Sequence, residues 1–154
     1  VKTLIVVRHA KSDWAGDEPD RERPLGKRGR RQAPESGSWI AAHHPVIDLA
    51  VVSPAVRAAT TWDLIAGELA TPPPISLDER VYAAWDHELL AVIRSLPTSL
   101  STVALVGHNP GVEAIVEALT GTYAPMPTSC VAVIELTAWD APSGKLLAHG
   151  RPPV

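Results

Sequence analysis

The apolar positions of this chain fall into short blocks separated by stretches of helical spacing. Leu4–Val7 form a continuous apolar run behind Thr3 and end on Arg8, as expected of a strand buried on both faces. Residues 48–53 (DLAVVS) and 101–108 (STVALVGH) repeat that pattern. Residues 129–137 and 144–149 read as a final pair of strands joined by a DAPSGK turn. From Leu25 to His43 the spacing turns helical, and Pro34 is expected to kink that helix or to sit near a first turn. Residues 55–70 are alanine- and leucine-rich at helical spacing behind Pro54. Residues 71–74 (TPPP) form a stiff connector, and 75–82 (ISLDERVY) hold a short strand. Residues 86–96 put Leu89, Leu90, Ile93 and Leu96 on one helix face. Residues 109–121 predict a helix with Pro110 near its start and Gly121 just past its end. The polar segment 10–24, with Pro19 and Pro24, reads as a loop.

This alternation predicts an α/β fold in which a mostly parallel central sheet is flanked by helices in three layers. No repeat, low-complexity tract or linker divides the chain, so residues 1–154 are expected to form a single domain.

Composition narrows the function classes. With 45% hydrophobic and 20% charged residues, the chain has the balance of an ordinary globular protein. A formal net charge of −3 and a pI near 6.1 argue against a dedicated nucleic-acid binder. The lone Cys130 excludes an intrachain disulfide and a multi-cysteine metal site, which fits a reducing compartment. No apolar run approaches the ~20 residues needed to span a bilayer, and no leader-like segment opens the chain. A cytoplasmic setting without membrane contact is therefore expected. Oligomeric state is left open, and a monomer is compatible with the sequence.

The candidate chemistry gathers at strand ends. The first strand ends at Arg8-His9, the second at Ser53-Pro54 with Arg57 one helical turn on, and the next at Gly107-His108-Asn109. In an open α/β sheet the carboxyl ends of parallel strands share one edge, where ligands bind. If these strands are neighbours, two arginines and two histidines converge. No carboxylate occupies a matching strand-tip position, so the pocket is expected to be cationic and suited to an oxyanion such as phosphate. A lone strand-tip histidine is more often structural than catalytic; the coincidence of four such residues at three equivalent points favours a site.

These segments also carry a resemblance. VVRHAKS (6–12) resembles the R-H-G motif of the histidine phosphatase superfamily, with Ala10 in place of glycine. SPAVRAATTW (53–62) resembles its S-P-x-x-R-A-x-x-T segment, LVGHNPG (105–111) its second-histidine motif, and RPLGKRG (23–29) the segment that follows the first motif. The ordered set, spanning residue 3 to about 121, is similar above all to the SixA-type phosphohistidine phosphatase branch and implies a phosphoglycerate mutase-like fold. Single motifs such as R-H-A are weak, but their order is specific.

Carried over by position, the resemblance implies that His9 is the nucleophile and forms a phosphohistidine intermediate, with Arg8, Arg57 and His108 holding the phosphoryl oxygens and Ser12 beside them. Elementary chemistry agrees. Imidazole attacks phosphorus only when neutral, and cationic neighbours should depress the proton affinity of His9. Its other ring nitrogen should carry the proton, donated to a backbone carbonyl. Arginines offer forked donors to a group whose charge spreads over three oxygens. Fixed cations already neutralise the phosphate, so no metal or cofactor is expected. Alanine at position 10 implies a negative φ there, since a positive one would be strained.

A general acid is less legible. LDERVY (77–82) resembles the L-x-E-R-x-Y stretch of phosphoglycerate mutases and nominates Glu79; the competing reading makes Glu79 a surface carboxylate paired with Arg80. Asp13 is a further candidate. Other features read as structural. Residues 21–31 (RERPLGKRGRR) carry six basic side chains, read as a solvated helix face with Arg23 and Lys27 near the site rim. His43-His44 suit a helix end. Trp14 is placed at the pocket mouth, Trp39 and Trp62 in the core or between helices, and Cys130 as an inert buried thiol.

The reading is thus a metal-independent phosphatase acting through phospho-His9 on a phosphorylated protein, phosphohistidine above all, because few residues remain for a lid. A general phosphomonoesterase on small esters or nucleotides is the competing enzyme reading, and a phosphate-binding module without turnover the competing non-enzyme one.

Overall fold

The computed structural model describes residues 1–154. Six strands, β1 (Lys2–Arg8), β2 (Leu49–Val52), β3 (Ile75–Leu77), β4 (Thr102–Gly107), β5 (Val131–Leu136) and β6 (Gly144–Gly150), form one sheet in the order β3-β2-β4-β1-β5-β6. The first four run parallel; β5 is antiparallel to β1, and β6 to β5. Four helices connect them: α1 (Lys27–His43), α2 (Val56–Ala66), α3 (Asp86–Arg94) and α4 (Gly111–Thr120).

Side-chain alternation along β1 sorts the core into two halves. Leu4 and Val6 join Leu89, Val92 and Ile93 of α3 and Val112, Ile115 and Val116 of α4. Ile5 and Val7 join Ile40 of α1 and Ala58, Trp62 and Ile65 of α2 on the opposite face. Both faces of the sheet are covered, which explains why its central strands read as continuous apolar runs rather than alternating ones. The expected three layers are present.

Helix boundaries follow local chemistry. Pro110 sits at the N-cap of α4, and Gly121 ends it with φ 73°, a left-handed cap that glycine adopts without strain. Pro34 lies inside α1, past the first turn, and its missing N–H leaves the Arg30 carbonyl without an intrahelical donor. His43 closes α1 with its ring bonded to the Trp39 carbonyl (2.8 Å) and stacked on the Trp39 indole, as the helix-end reading anticipates. Residues 75–82 divide into the short β3 and a 3-10 turn over Glu79–Val81.

Strand register sets the site. Arg8 of β1 lies opposite Gly107 of β4, and Val52 of β2 opposite Val106 of β4. His9, Ser53 and His108, each following its strand, therefore emerge side by side. Loop 10–24 folds back above them, closed at its base by a bridge between Ser12 and Leu25 and by the Asp13 N–H bonded to the Pro24 carbonyl (2.8 Å).

Candidate active site

A pocket of about 210 Å³ opens at these strand tips, lined by Arg8, His9, Lys11, Ser12, Trp14, Asp20, Arg57, His108, Asn109 and Thr128. Three larger clefts, of about 350, 510 and 270 Å³, lie beside β3 and α2, along the proline connector and between the ends of β5 and β6, and none gathers arginines and histidines. Chemistry rather than volume singles out the strand-tip pocket.

His9 is held from several sides. Its N–H donates to the Gly107 carbonyl (3.1 Å), and its carbonyl accepts from the Ser129 N–H (3.0 Å). The His9 Nδ1 lies 2.7 Å from the Ala10 carbonyl, which can only accept. The ring proton therefore sits on Nδ1, and Nε2 keeps its lone pair, the tautomer a nucleophile requires. Ala10 is fully buried and does not adopt a positive φ, so alanine is accommodated without strain. Its N–H donates to Thr61 Oγ1 (2.9 Å), and that hydroxyl donates to the Arg57 carbonyl (2.7 Å). Gly29 of α1 lets the helix approach this loop: a Cβ there would stand 2.2 Å from the Lys11 carbonyl oxygen.

His108 packs 5.1 Å from His9, ring centre to ring centre, with its Nε2 2.7 Å from Ser53 Oγ. Ser53 Oγ also accepts from the Ala55 N–H (3.3 Å), and with one hydrogen and a second lone pair it can either donate to His108 Nε2 or accept from it. That buried Nδ1 has no partner, nor has Arg8 Nε. Two unpartnered buried nitrogens on the lining of one pocket are what an oxyanion would satisfy, the His108 proton then residing on Nδ1 with the Ser53 hydroxyl donating to Nε2. Arg8 is anchored through Nη1 to the Met126 carbonyl (3.2 Å), which also accepts from Asn109 Nδ2 (2.9 Å). Glu113 fastens the same corner, accepting from the Met126 N–H (2.8 Å) and Asn109 Nδ2 (3.2 Å).

Both histidines are neutral at neutral pH. Burial, joined by Arg57 and Arg8 and opposed by the Ala10 hydrogen bond, lowers His9 to about 4. Burial, then His9 and Arg57, lowers His108 to about 3. The direction for His9 is as the sequence implied, but the cause differs: desolvation leads and the cationic neighbours follow. No group of three or more His, Cys, Asp or Glu side chains converges as metal ligands would.

The structure brings together His9, Arg8, Arg57, His108 and Ser12. It does not bring in Glu79, whose exposed carboxylate pairs with Arg21 (2.6 Å) rather than with the expected Arg80, which instead binds Asp78 (2.7 Å). The 3-10 turn buries Val81 and sends Glu79 and Arg80 outward. Asp13 is exposed and accepts from the Ala15 N–H (2.8 Å), capping its own turn. The carboxylate that does line the pocket is Asp20, from a 3-10 turn in loop 10–24. Arg57 donates to its carbonyl (2.7 Å) and to its Oδ2 (3.0 Å), and the Tyr82 hydroxyl donates to the same Oδ2 (2.5 Å). Strand-tip reasoning missed it because it belongs to no strand tip. The pocket stays net cationic, since Arg8, Arg57 and Lys11 outweigh one carboxylate. At the mouth, Trp14 is 64% exposed with the Arg23 guanidinium 3.8 Å from its ring centre.

The histidine phosphatase superfamily (branch 1) profile matches residues 4–101, covering the first histidine, Arg57 and the segment between. The chain belongs to this superfamily. An uncharacterized protein of Mycobacterium leprae is 30% identical over 95% of this chain and 99% of its own length. A structure described as "Putative Phosphohistidine Phosphatase SixA" from Nakamurella multipartitia superposes with a TM-score of 0.86 at 26% identity, covering 97% of this chain and 95% of that one. One with the same description from Agrobacterium tumefaciens gives 0.83 at 26% identity, with 97% of each chain covered. The six-stranded sheet and four helices are thus the phosphoglycerate mutase-like fold, and this histidine phosphatase superfamily member is a phosphatase.

Proposed function

We propose that this phosphatase removes phosphoryl groups from phosphohistidine side chains of proteins, through a covalent intermediate on His9. The observation that carries the reading is the His9 tautomer: Nδ1–H bonded to the Ala10 carbonyl, Nε2 free, in a pocket whose fixed cations are arginines. His9 Nε2 attacks phosphorus while the substrate's P–N bond breaks. Arg8 and Arg57 take the phosphoryl oxygens, joined by His108 Nδ1–H and the Ser12 hydroxyl. The phosphoryl group then passes from His9 to water.

Two features support a protein side chain as substrate. The pocket is small, at about 210 Å³, and its rim is open, with Trp14 and half of the Asp20 side chain exposed, so a side chain presented from a protein surface can reach it. Glu79, the candidate acid for a poor leaving group, is engaged elsewhere. A phosphoramidate needs less help, because imidazole protonated on its second nitrogen departs neutral, whereas an alkoxide does not. A cytoplasmic setting accords with a lone, buried Cys130 and no possible intrachain disulfide, and no helix is long and apolar enough to cross a membrane. The test is phosphate release from a phosphohistidine protein beside a panel of alkyl and aryl monoesters. The reading requires kcat/KM for the phosphohistidine protein to exceed that for every alkyl ester; the reverse order favours a general phosphomonoesterase.

A further inference from the structure

Hydrolysis of a phosphorylated His9 needs a group to receive the proton of the attacking water, and the histidines do not supply one. His9 itself carries the phosphoryl group, and His108 has its Nε2 engaged with Ser53 and, in the phosphoryl-holding role proposed above, its Nδ1 proton directed at a phosphoryl oxygen. Glu113 is occupied by Asn109 and Met126 and does not line the pocket, and Glu79 is paired with Arg21 outside it. Asp20 is the one carboxylate on the lining.

Its geometry suits the task. Arg57 grips residue 20 at two points, the backbone carbonyl and Oδ2, and Tyr82 holds the same Oδ2. These bonds fix the carboxylate while Oδ1 accepts from no protein donor, so one oxygen orients the group and the other is available. Arg57 commits two of its five N–H donors here and keeps three for a phosphoryl group, so carboxylate and substrate need not compete for it. With about half of its side chain exposed, Asp20 can pass a proton on to solvent. Hydrogen bonds from Tyr82 and then Arg57, against some desolvation, hold its pKa below the ordinary carboxylate value, so the base form is the resident one.

We propose that Asp20 is the general base of the dephosphorylation step, an inference that rests on the phospho-His9 reading above. Water oxygen bonds to phosphorus as the P–Nε2 bond breaks and its electron pair returns to Nε2. The water proton passes to Asp20 Oδ1. His9 departs as neutral imidazole because Nδ1 keeps its proton, hydrogen-bonded to the Ala10 carbonyl, and Asp20 later releases its proton to solvent. The formation of phospho-His9 does not use this proton transfer, so the two half-reactions should separate when Asp20 is changed.

Asp20→Asn retains an oxygen for Tyr82 and Arg57 and removes the basicity. In rapid-quench experiments with a labelled phosphohistidine protein under enzyme excess, the wild type should show label passing through His9 to free phosphate. The variant should load His9 at a rate near wild type and then stall, with steady-state turnover down on the order of 10²-fold, the lower end for a lost general base. Formate added to Asp20→Ala should restore part of the turnover. A variant that turns over within about twofold and accumulates no label overturns the proposal. So does one with a lowered KM and unchanged kcat, which would make Asp20 only a tether for Arg57. Absence of label on His9 in the wild type removes the covalent reading and this step with it, whereas a labelled wild type beside an unaffected variant removes the base alone.

Discussion

Thr61 and Ala10, fifty-one positions apart, share one hydrogen bond that ties the tip of β1 to the first turns of α2: Thr61 Oγ1 accepts from the Ala10 N–H at 2.9 Å while donating to the Arg57 carbonyl at 2.7 Å. One buried hydroxyl thus sets the spacing between the residue that follows His9 and the turn of α2 that carries Arg57. Thr61→Val keeps the shape and leaves the Ala10 N–H buried without a partner. The expected cost is about 1–3 kcal/mol in urea unfolding, with a fall in kcat/KM. Thr61→Ser, which keeps the hydroxyl, should recover most of both.

His9→Ala should abolish turnover and leave the fold intact, because His9 follows β1 and adds little to either half of the core. Denaturing quench of the wild type with substrate should place phosphate on residue 9. Label elsewhere, or normal turnover by the alanine variant, contradicts the assignment.

For Arg57→Lys the charge survives and the fork does not. The bonds to the Asp20 carbonyl and carboxylate cannot both be kept while a phosphoryl group is held. A loss in kcat/KM on the order of 10²-fold is expected, near the cost of one oxyanion donor. A lysine variant within about twofold of wild type would take Arg57 away from the reacting group.

The depressed histidines give acid pH a predictable effect. Unfolded histidines bind protons below about 6.5, whereas folded His9 and His108 stay neutral until about 4 and about 3. Between those limits the unfolded state holds more protons, so stability should fall as pH drops from about 6.5 and level off, for these two groups, near 3. Urea unfolding across that range should show a shallower acid loss for His108→Gln. In the same vein, kcat/KM for an aryl ester, corrected for the ester's own ionisation, should show no inflection near 6.5.

Glu79→Gln should change phosphohistidine turnover by no more than about twofold, since it breaks only an exposed ion pair with Arg21. Assaying an alkyl ester on the same variant checks the point. A selective loss of roughly 10²–10⁴-fold there would return Glu79 to the role of general acid.

The part of the site built from strand tips was legible because buried β-branched runs that stop at Arg8-His9, Ser53 and Gly107-His108 have few structural reasons to do so. Parallel register did the rest. Asp20 was not legible: loop 10–24 has no periodicity, and what brings Asp20 to Arg57 is a closure between Ser12 and Leu25 that no local pattern announces. Tyr82 and Glu79 share one short segment, and only the 3-10 turn decides that the hydroxyl reaches Asp20 while the carboxylate faces Arg21. Asn109 stood beside His108 in plain view, but its tie to Glu113 and Met126 depends on how α4 packs. The helix over Leu25–His43 was read nearly to its ends, although Pro34 is absorbed in its interior.

β1 is hydrogen-bonded along both edges, to β4 and to β5, and the amides of Arg8 and His9 donate to Cys130 and Gly107 just beyond it. Such amides exchange with solvent only when the whole domain opens, whereas those of an exposed loop such as 13–24 exchange through small local fluctuations. His9 therefore belongs to the slowest-exchanging layer of the molecule and the Asp20 arm to one of the fastest. Sequence changes in the core should thus appear as fewer active molecules rather than as worse ones, while changes in the arm should alter the rate of every molecule.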